Sequence, residues 1–327
     1  MSKPRASGVD VIQLVAKEGT PYSAPDGSGG GVYHRLLTKS SSLAGSQPLE
    51  ADELWNKATP EDSDPSVGAF DVSGDIVHPM CSRAVGWDLS MALGAESTPT
   101  DNGDGTYTHT WNSTKDLATW TVQTGHPKLT TPKWRTVLGA KAGGFSFPMQ
   151  RNGRALITVP MIGQSEVKDT TGARDAAPIV VAYKPFDNAT GAVKIGGVAL
   201  ANVTGAQVTY SSSLEAVQTI RSDMMIDGAD EGLRTLTGSF DLRLGTDHTI
   251  DDLLDAGTPA AIELSFTLRS AANWQLKFAL PRVFFERPKT QISGVAGIQT
   301  TINWRAAYDA TATYMLQATL RNDVASY

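Results

Sequence analysis

The sequence predicts a mainly β fold, with two units in tandem, each a sandwich or bent sheet carrying a short flanking α-helix. Three observations predict it. Charged residues make up only 19% of the 327, while 31 Gly and 17 Pro punctuate a chain rich in Thr, Ser, Val and Ala, a mixture that favours strands joined by turns. Apolar and polar residues alternate with a period of two in several runs. A helix set among strands recurs after about 160 residues, close to the size of a domain.

Residues 1–65 read as an N-terminal arm and long loops, because 19–31 is crowded with glycine and 38–48 with serine and glycine. Within the arm, 11–15 has the apolar run of a short strand, and the acidic stretch 50–64 reads as solvated. Regular alternation starts later. The turn residues at 101–105 precede a strand at 106–111. In the following strand Ala118, Trp120, Val122 and Thr124 share the face expected to be buried. Strand character continues in 145–149, 155–161, 198–214, 233–244, 261–268, 274–280, 298–304 and 313–320. Leu236, Phe240, Leu242 and Leu244 point one way and their polar neighbours the other, as in a sheet with one packed and one wet side.

Two short helices interrupt the strands. The first, 85–93, carries a stripe of Val85, Leu89 and Ala92 and stops at Gly94. The second is capped by Thr246 or Asp247, carries Ile250, Leu253 and Leu254, and stops at Gly257. Residues 70–76, the first helix and Gly94 parallel 236–240, the second helix and Gly257; 144–147 and 155–163 parallel 297–304 and 313–320. The chain then divides into an arm at 1–65, a first unit at 66–165, a connector at 166–178 and a second unit at 179–327.

The chemistry points away from an enzyme. With 34 acidic and 28 basic residues the formal charge is -6, the wrong balance for a broad surface that neutralises DNA phosphate. The single cysteine, Cys81, excludes an intrachain disulfide or a multi-cysteine zinc site, suits folding in a cytoplasm, and has no activating base in view. No secretion-signal core and no run of 18 apolar residues is present, so the chain reads as soluble when made. Gly139-Ala140-Lys141-Ala142 lacks the spacing of a phosphate loop and reads as a surface turn. His34, His78, His109, His126 and His248 lack ligand spacing, so no metal and no cofactor is expected. Arg282, Phe284, Phe285 and Arg287 combine the residue types that make directional contacts at interfaces.

Several stretches taken in order resemble the major tail tube proteins of long, flexible-tailed bacteriophages. They are 11–22 with Lys17-Glu18-Gly19-Thr20-Pro21, then 70–76, 85–94, 232–239, 253–258, Leu280-Pro281-Arg282 and Leu320-Arg321-Asn322. The resemblance implies β-sandwich tube domains in stacked rings, six domains to a ring, their inner strands forming a barrel around a DNA channel. With two units per chain, a trimer closes such a ring; a hexamer is the other option. It further implies a structural protein of the virion tail, made in the host cytoplasm, with no membrane contact. Its partners would be a tape-measure protein, a tail terminator, baseplate proteins and itself, and phage DNA would pass through the lumen without specific binding.

On this resemblance Val11, Ile12, Leu14, Val15, Lys17, Glu18 and Tyr22 form the candidate inter-ring arm, whose removal should impair polymerisation more than folding. Trp120, Val122, Leu156, Ile157, Val159, Leu236, Phe240, Leu242, Leu264 and Phe266 mark the candidate sheet-assembly strands, with Asp241 and Glu263 as exposed charges on them. The alternative is a phage baseplate or receptor-binding β-sandwich module that forms a closed oligomer. A carbohydrate hydrolase with a carboxylate pair is a third class.

Overall fold

The structure is a computed structural model and describes residues 7–51, 59, 61, 63–113, 115–129, 133–169, 172–200, 202–243, 252, 257–288 and 299–327. In chain order it opens with β1 (Ile12–Lys17), β2 (His34–Leu36), β3 (Ser40–Ser41), β4 (Ala44–Ser46), β5 (Leu49–Glu50), β6 (Ser66–Val67), β7 (Asp71–Pro79) and the helix α1 (Val85–Leu93). There follow β8 (Thr100–Asp101), β9 (Tyr107–Asn112), β10 (Trp120–His126), β11 (Lys133–Ala142), β12 (Gly144–Met149), β13 (Leu156–Gly163) and β14 (Ser165–Asp169). Next are β15 (Ile179–Val180), β16 (Gly191–Ile195), β17 (Val198–Ala199), β18 (Val203–Ser211), β19 (Glu215–Val217) and β20 (Gly228–Asp230). The last strands are β21 (Thr235–Arg243), β22 (Ala260–Leu268), β23 (Ala271–Phe285), β24 (Gln299–Ala306) and β25 (Gln317–Asn322).

The fold is mainly β, as the alternation predicts, and two layers can be followed through it. In the first half β2, β1, β10, β11 and β14 pair in that order, opposite a second layer of β4, β7, β13 and β12. In the second half β17, β16, β22, β23 and β25 pair in that order, opposite β18, β21 and β24. The end of β11 reaches β13 and the end of β23 reaches β24, so in each half one strand leaves its own layer to join the other. Pairing also crosses between the halves, β12 to β18 and β9 to β25, both antiparallel. One hydrophobic cluster runs from Val15 to Leu320. The stretch expected to be a connector begins inside β14, and the strands on either side of it share sheet and core.

Aromatic packing shows how the layers are held. Phe145 and Phe147 of β12 lie 5.8 and 4.8 Å from Phe278 of β23, and Phe147 lies 6.0 Å from Phe266 of β22. All four rings are buried, each contributing about 1.5–3 kcal/mol by leaving water. Helix α1 ends at Gly94 (φ 101°), the predicted stop, yet it is buried on every side rather than along one stripe. Its polar residues are satisfied inside: Asp88 meets His78 Nδ1 at 2.6 Å, and Ser90 Oγ accepts from Trp111 Nε1 at 2.9 Å.

Other expectations shift. The second helix, with its caps and its Ile250, Leu253 and Leu254, lies outside the described residues apart from Asp252 and Gly257. The run 198–214 breaks into β17 and β18, and the terminal strand begins at Gln317 rather than 313. Residues 139–142 belong to β11 and are no surface turn. Gly139 (φ 63°) interrupts the apolar alternation there, and that interruption hides the strand in the sequence. The structural counterpart of β13 is also displaced: β13 pairs with β7 as β24 pairs with β21, so 156–163 answers to 299–306 and not to 313–320.

Candidate assembly face and edges

Side chains opposite one another in antiparallel strands share a face. Val77, Thr158, Ser146, Thr209, Thr237 and Arg305 therefore form one rung across β7, β13, β12, β18, β21 and β24. Pro148, Gln207, Ser239 and Asn303 form the next. These residues are exposed or half-buried, while Val159, Phe145, Tyr210, Leu236, Phe240 and Ile302 between them are buried. The result is a wet face six strands wide, made largely of hydroxyl and amide side chains. Its charges are Asp71, Asp75 and Asp241 against Arg243 and Arg305. Asp241 is tied down: Thr301 Oγ1 donates to Oδ1 at 2.6 Å.

The two ends of this sheet differ. At one end the rung passes from Arg305 to Phe284, which is 38% exposed and has the Arg282 guanidinium 5.4 Å from its ring centre. Phe285 packs on the core and Arg287 is exposed. At the other end β7 is flanked by the short β3 and β4, whose Ser40, Ser41, Ala44 and Ser46 are exposed. There the Gly45 N–H points away from β7 and donates to Glu166 Oε2 at 2.7 Å, and Glu166 is also paired with Arg135. A carboxylate on an edge amide blunts that edge. No helix among the described residues is long and apolar enough to cross a membrane.

Other predicted residues lie elsewhere. Ile12, Leu14, Val15 and Lys17 are in β1, between β2 and β10, with Leu14 and Val15 fully buried; Val11 leads into it. Glu18 is buried and accepts from Thr121 Oγ1, the Gly139 N–H and the Tyr22 N–H, each at 2.8 Å. This stretch is built into its own sheet, so its removal bears on folding as well as on any contact between rings. Trp120, Val122, Ile157, Val159, Leu236, Phe240, Leu242, Leu264 and Phe266 are buried and Leu156 is half-buried. These residues hold the core of the chain; the faces and edges offered outward belong to their polar neighbours. Glu263 lies on β22, away from Asp241. Burial opposes its ionisation, but hydrogen bonds from Lys277 at 2.5 Å and Lys194 at 3.2 Å hold it below the usual carboxylate range.

Two hairpins outside the predicted strands, β5–β6 and β19–β20, lie side by side. The Phe70 N–H donates to Met224 O at 3.0 Å, and Gln47 Nε2 lies 3.8 Å from Met224 Sδ. Leu49 and Val67 oppose one another on the first, Ile220 and Met224 lie between the strands of the second, and all four are exposed apolar residues that only the meeting of the two hairpins brings to one region.

Residues 8–306 match the family of the phage tail tube protein. The chain belongs to that family. It is thus a structural tail tube protein of a bacteriophage, a component of the virion tail that self-assembles. No curated protein matches the chain.

Proposed function

We propose that this tail tube protein closes into rings that stack into a tube, with the wet face of β7, β13, β12, β18, β21 and β24 turned to the lumen. The observation that carries the reading is the uninterrupted rung from Val77 to Arg305, which ends on unlike edges. Unlike edges suit head-to-tail contact, which closes a ring when the rotation per subunit permits. A lining of hydroxyls and amides with nearly balanced charge gives DNA phosphates no run of cations to hold them, so the genome slides through during ejection. The exposed apolar residues of β5–β6 and β19–β20 contact the next ring. A tape-measure protein, a tail terminator and baseplate proteins complete the tail, on a chain made in the host cytoplasm. Two units per chain make the ring a trimer of chains with six tube units.

Electron microscopy of the purified chain at rising concentration tests this. Hollow stacked rings with three chains each are expected; discrete particles that never stack would point to a baseplate or receptor-binding module instead.

A further inference from the structure

The two halves of the chain repeat one another in register. Beside β7, Ala44, Gly45 and Ser46 oppose Ser73, Val72 and Asp71; beside β21, Thr209, Tyr210 and Ser211 oppose Thr237, Leu236 and Thr235. Gly74 and Gly238 hold equivalent places, and a Cβ on either would strike an equivalent carbonyl, Ser42 O at 2.5 Å or Gln207 O at 2.1 Å. β10 and β11 slip register between Trp120/Ala140 and Val122/Val137, and β22 and β23 slip between Ala260/Val283 and Ile262/Leu280. Val15 opposes Val122 and His34, as Ile195 opposes Ile262 and Val198. The ends of the long strands correspond as well, Ala142 with Met161 and Phe285 with Trp304.

Within the layer that carries the wet face the halves are joined by the ladder of β12 against β18, in which Gly144 opposes Ser211 and Phe145 opposes Tyr210. By the correspondences above, Gly144 answers to Arg287, Phe145 to Pro288, Ser211 to Ser46 and Tyr210 to Gly45. We propose that this internal junction is the pattern for the junction between chains: Arg287 and Pro288 of one chain lie opposite Ser46 and Gly45 of the next, antiparallel, in the register of β12 on β18. The proposal rests on the tube reading and names the partner surface within it.

The chemistry of both edges fits. Tyr210 corresponds to Gly45, and the Gly45 N–H already points outward, toward Glu166. In the junction that N–H goes to the Pro288 carbonyl and the Glu166 carboxylate gives way, so Glu166 keeps the edge of an unassembled chain covered. Pro288 has no N–H to return, and this rung keeps one bond where the internal one has two. Arg287 then stands one short residue, Ser46, away from Asp71 of the neighbour, a basic edge against an acidic one. Wild-type monomers cannot mimic the contact, because β4 and β24 are separated by six strand spacings, roughly 30 Å at ~4.8 Å each.

The test is a Ser46→Cys/Arg287→Cys double variant assembled into tubes, oxidised, and run on non-reducing gels beside each single variant. Opposed strand residues fall within the reach of a disulfide. A ladder of covalent oligomers ending at a closed trimer is expected from the double variant alone. Tubes that form with both thiols in place and yet stay monomeric on the gel would overturn the junction and leave the tube reading intact. Wild-type chains that form no tubes would overturn both. Should the double variant fail to assemble, charge reversal decides: Arg287→Glu should abolish tubes and Arg287→Glu with Asp71→Arg restore them, whereas tubes from the single reversal would count against the contact.

Discussion

His109 fastens two distant stretches of the chain to each other. Its Nδ1 meets Glu96 Oε2 at 2.6 Å, its Nε2 meets Val324 O at 2.8 Å, and the Tyr327 N–H donates to Glu96 Oε1 at 2.6 Å. The Tyr327 ring fills the space over Gly86, where a Cβ would come within 2.4 Å of it. Removing the imidazole leaves the Glu96 carboxylate shielded and short of a partner. His109→Leu should therefore lower unfolding stability by about 3–5 kcal/mol; a loss below about 1 kcal/mol in a denaturant titration would show that the tail is held by other means. His34 acts through pH instead. Burial, with Trp87 edge-on at 4.3 Å, pushes its pKa from 6.5 to about 4, with Asp175 opposing. The unfolded chain then binds this proton first as pH falls, so stability is lost as pH drops from about 6.5 to 4 and is unaffected above that window. Thermal unfolding across the window should be flatter for His34→Asn than for wild type.

At the scale of elements, β1 decides how the N-terminal stretch behaves. Gln13, Leu14, Val15 and Ala16 are all buried, so the strand is covered on both faces and is central to its sheet. A variant lacking residues 1–17 should show no cooperative melt, and Leu14→Ala should cost about 2–5 kcal/mol by leaving a cavity. If the shortened chain melted normally, the N-terminal stretch would be an arm after all. This is also where the sequence was hardest to read. Leu236, Phe240 and Leu242 alternate with polar residues because one face of β21 is wet, and that strand was legible. In β1 and β10 the polar Gln13, Thr121 and Gln123 are buried along with their apolar neighbours, so the apolar pattern marks only part of the core. The same limit applied to the assembly face. Alternation separated Thr237, Asp241 and Asn303 from their apolar neighbours, but nothing in one strand tells which strands it joins, and the rung from Val77 to Arg305 draws on residues spread over most of the chain.

For the whole molecule, the claim with the largest consequence is that the wet face lines a passage for DNA. Thr209, Thr237 and Ser146 sit mid-rung, away from both edges, and their side chains point off the sheet. Replacing all three with lysine changes the lining without touching the core or the junction, so tubes should form at the wild-type rate. Each added cation would meet passing phosphates and recover counterion-release energy, which binds DNA instead of letting it slide. Virions carrying the triple variant should adsorb normally but eject their genomes more slowly, by tenfold or more, and the delay should shrink as salt is raised. The same three positions changed to glutamine should leave ejection near wild type. Ejection by the lysine virions at the wild-type rate, at every salt concentration, would place this face on the outside of the tube.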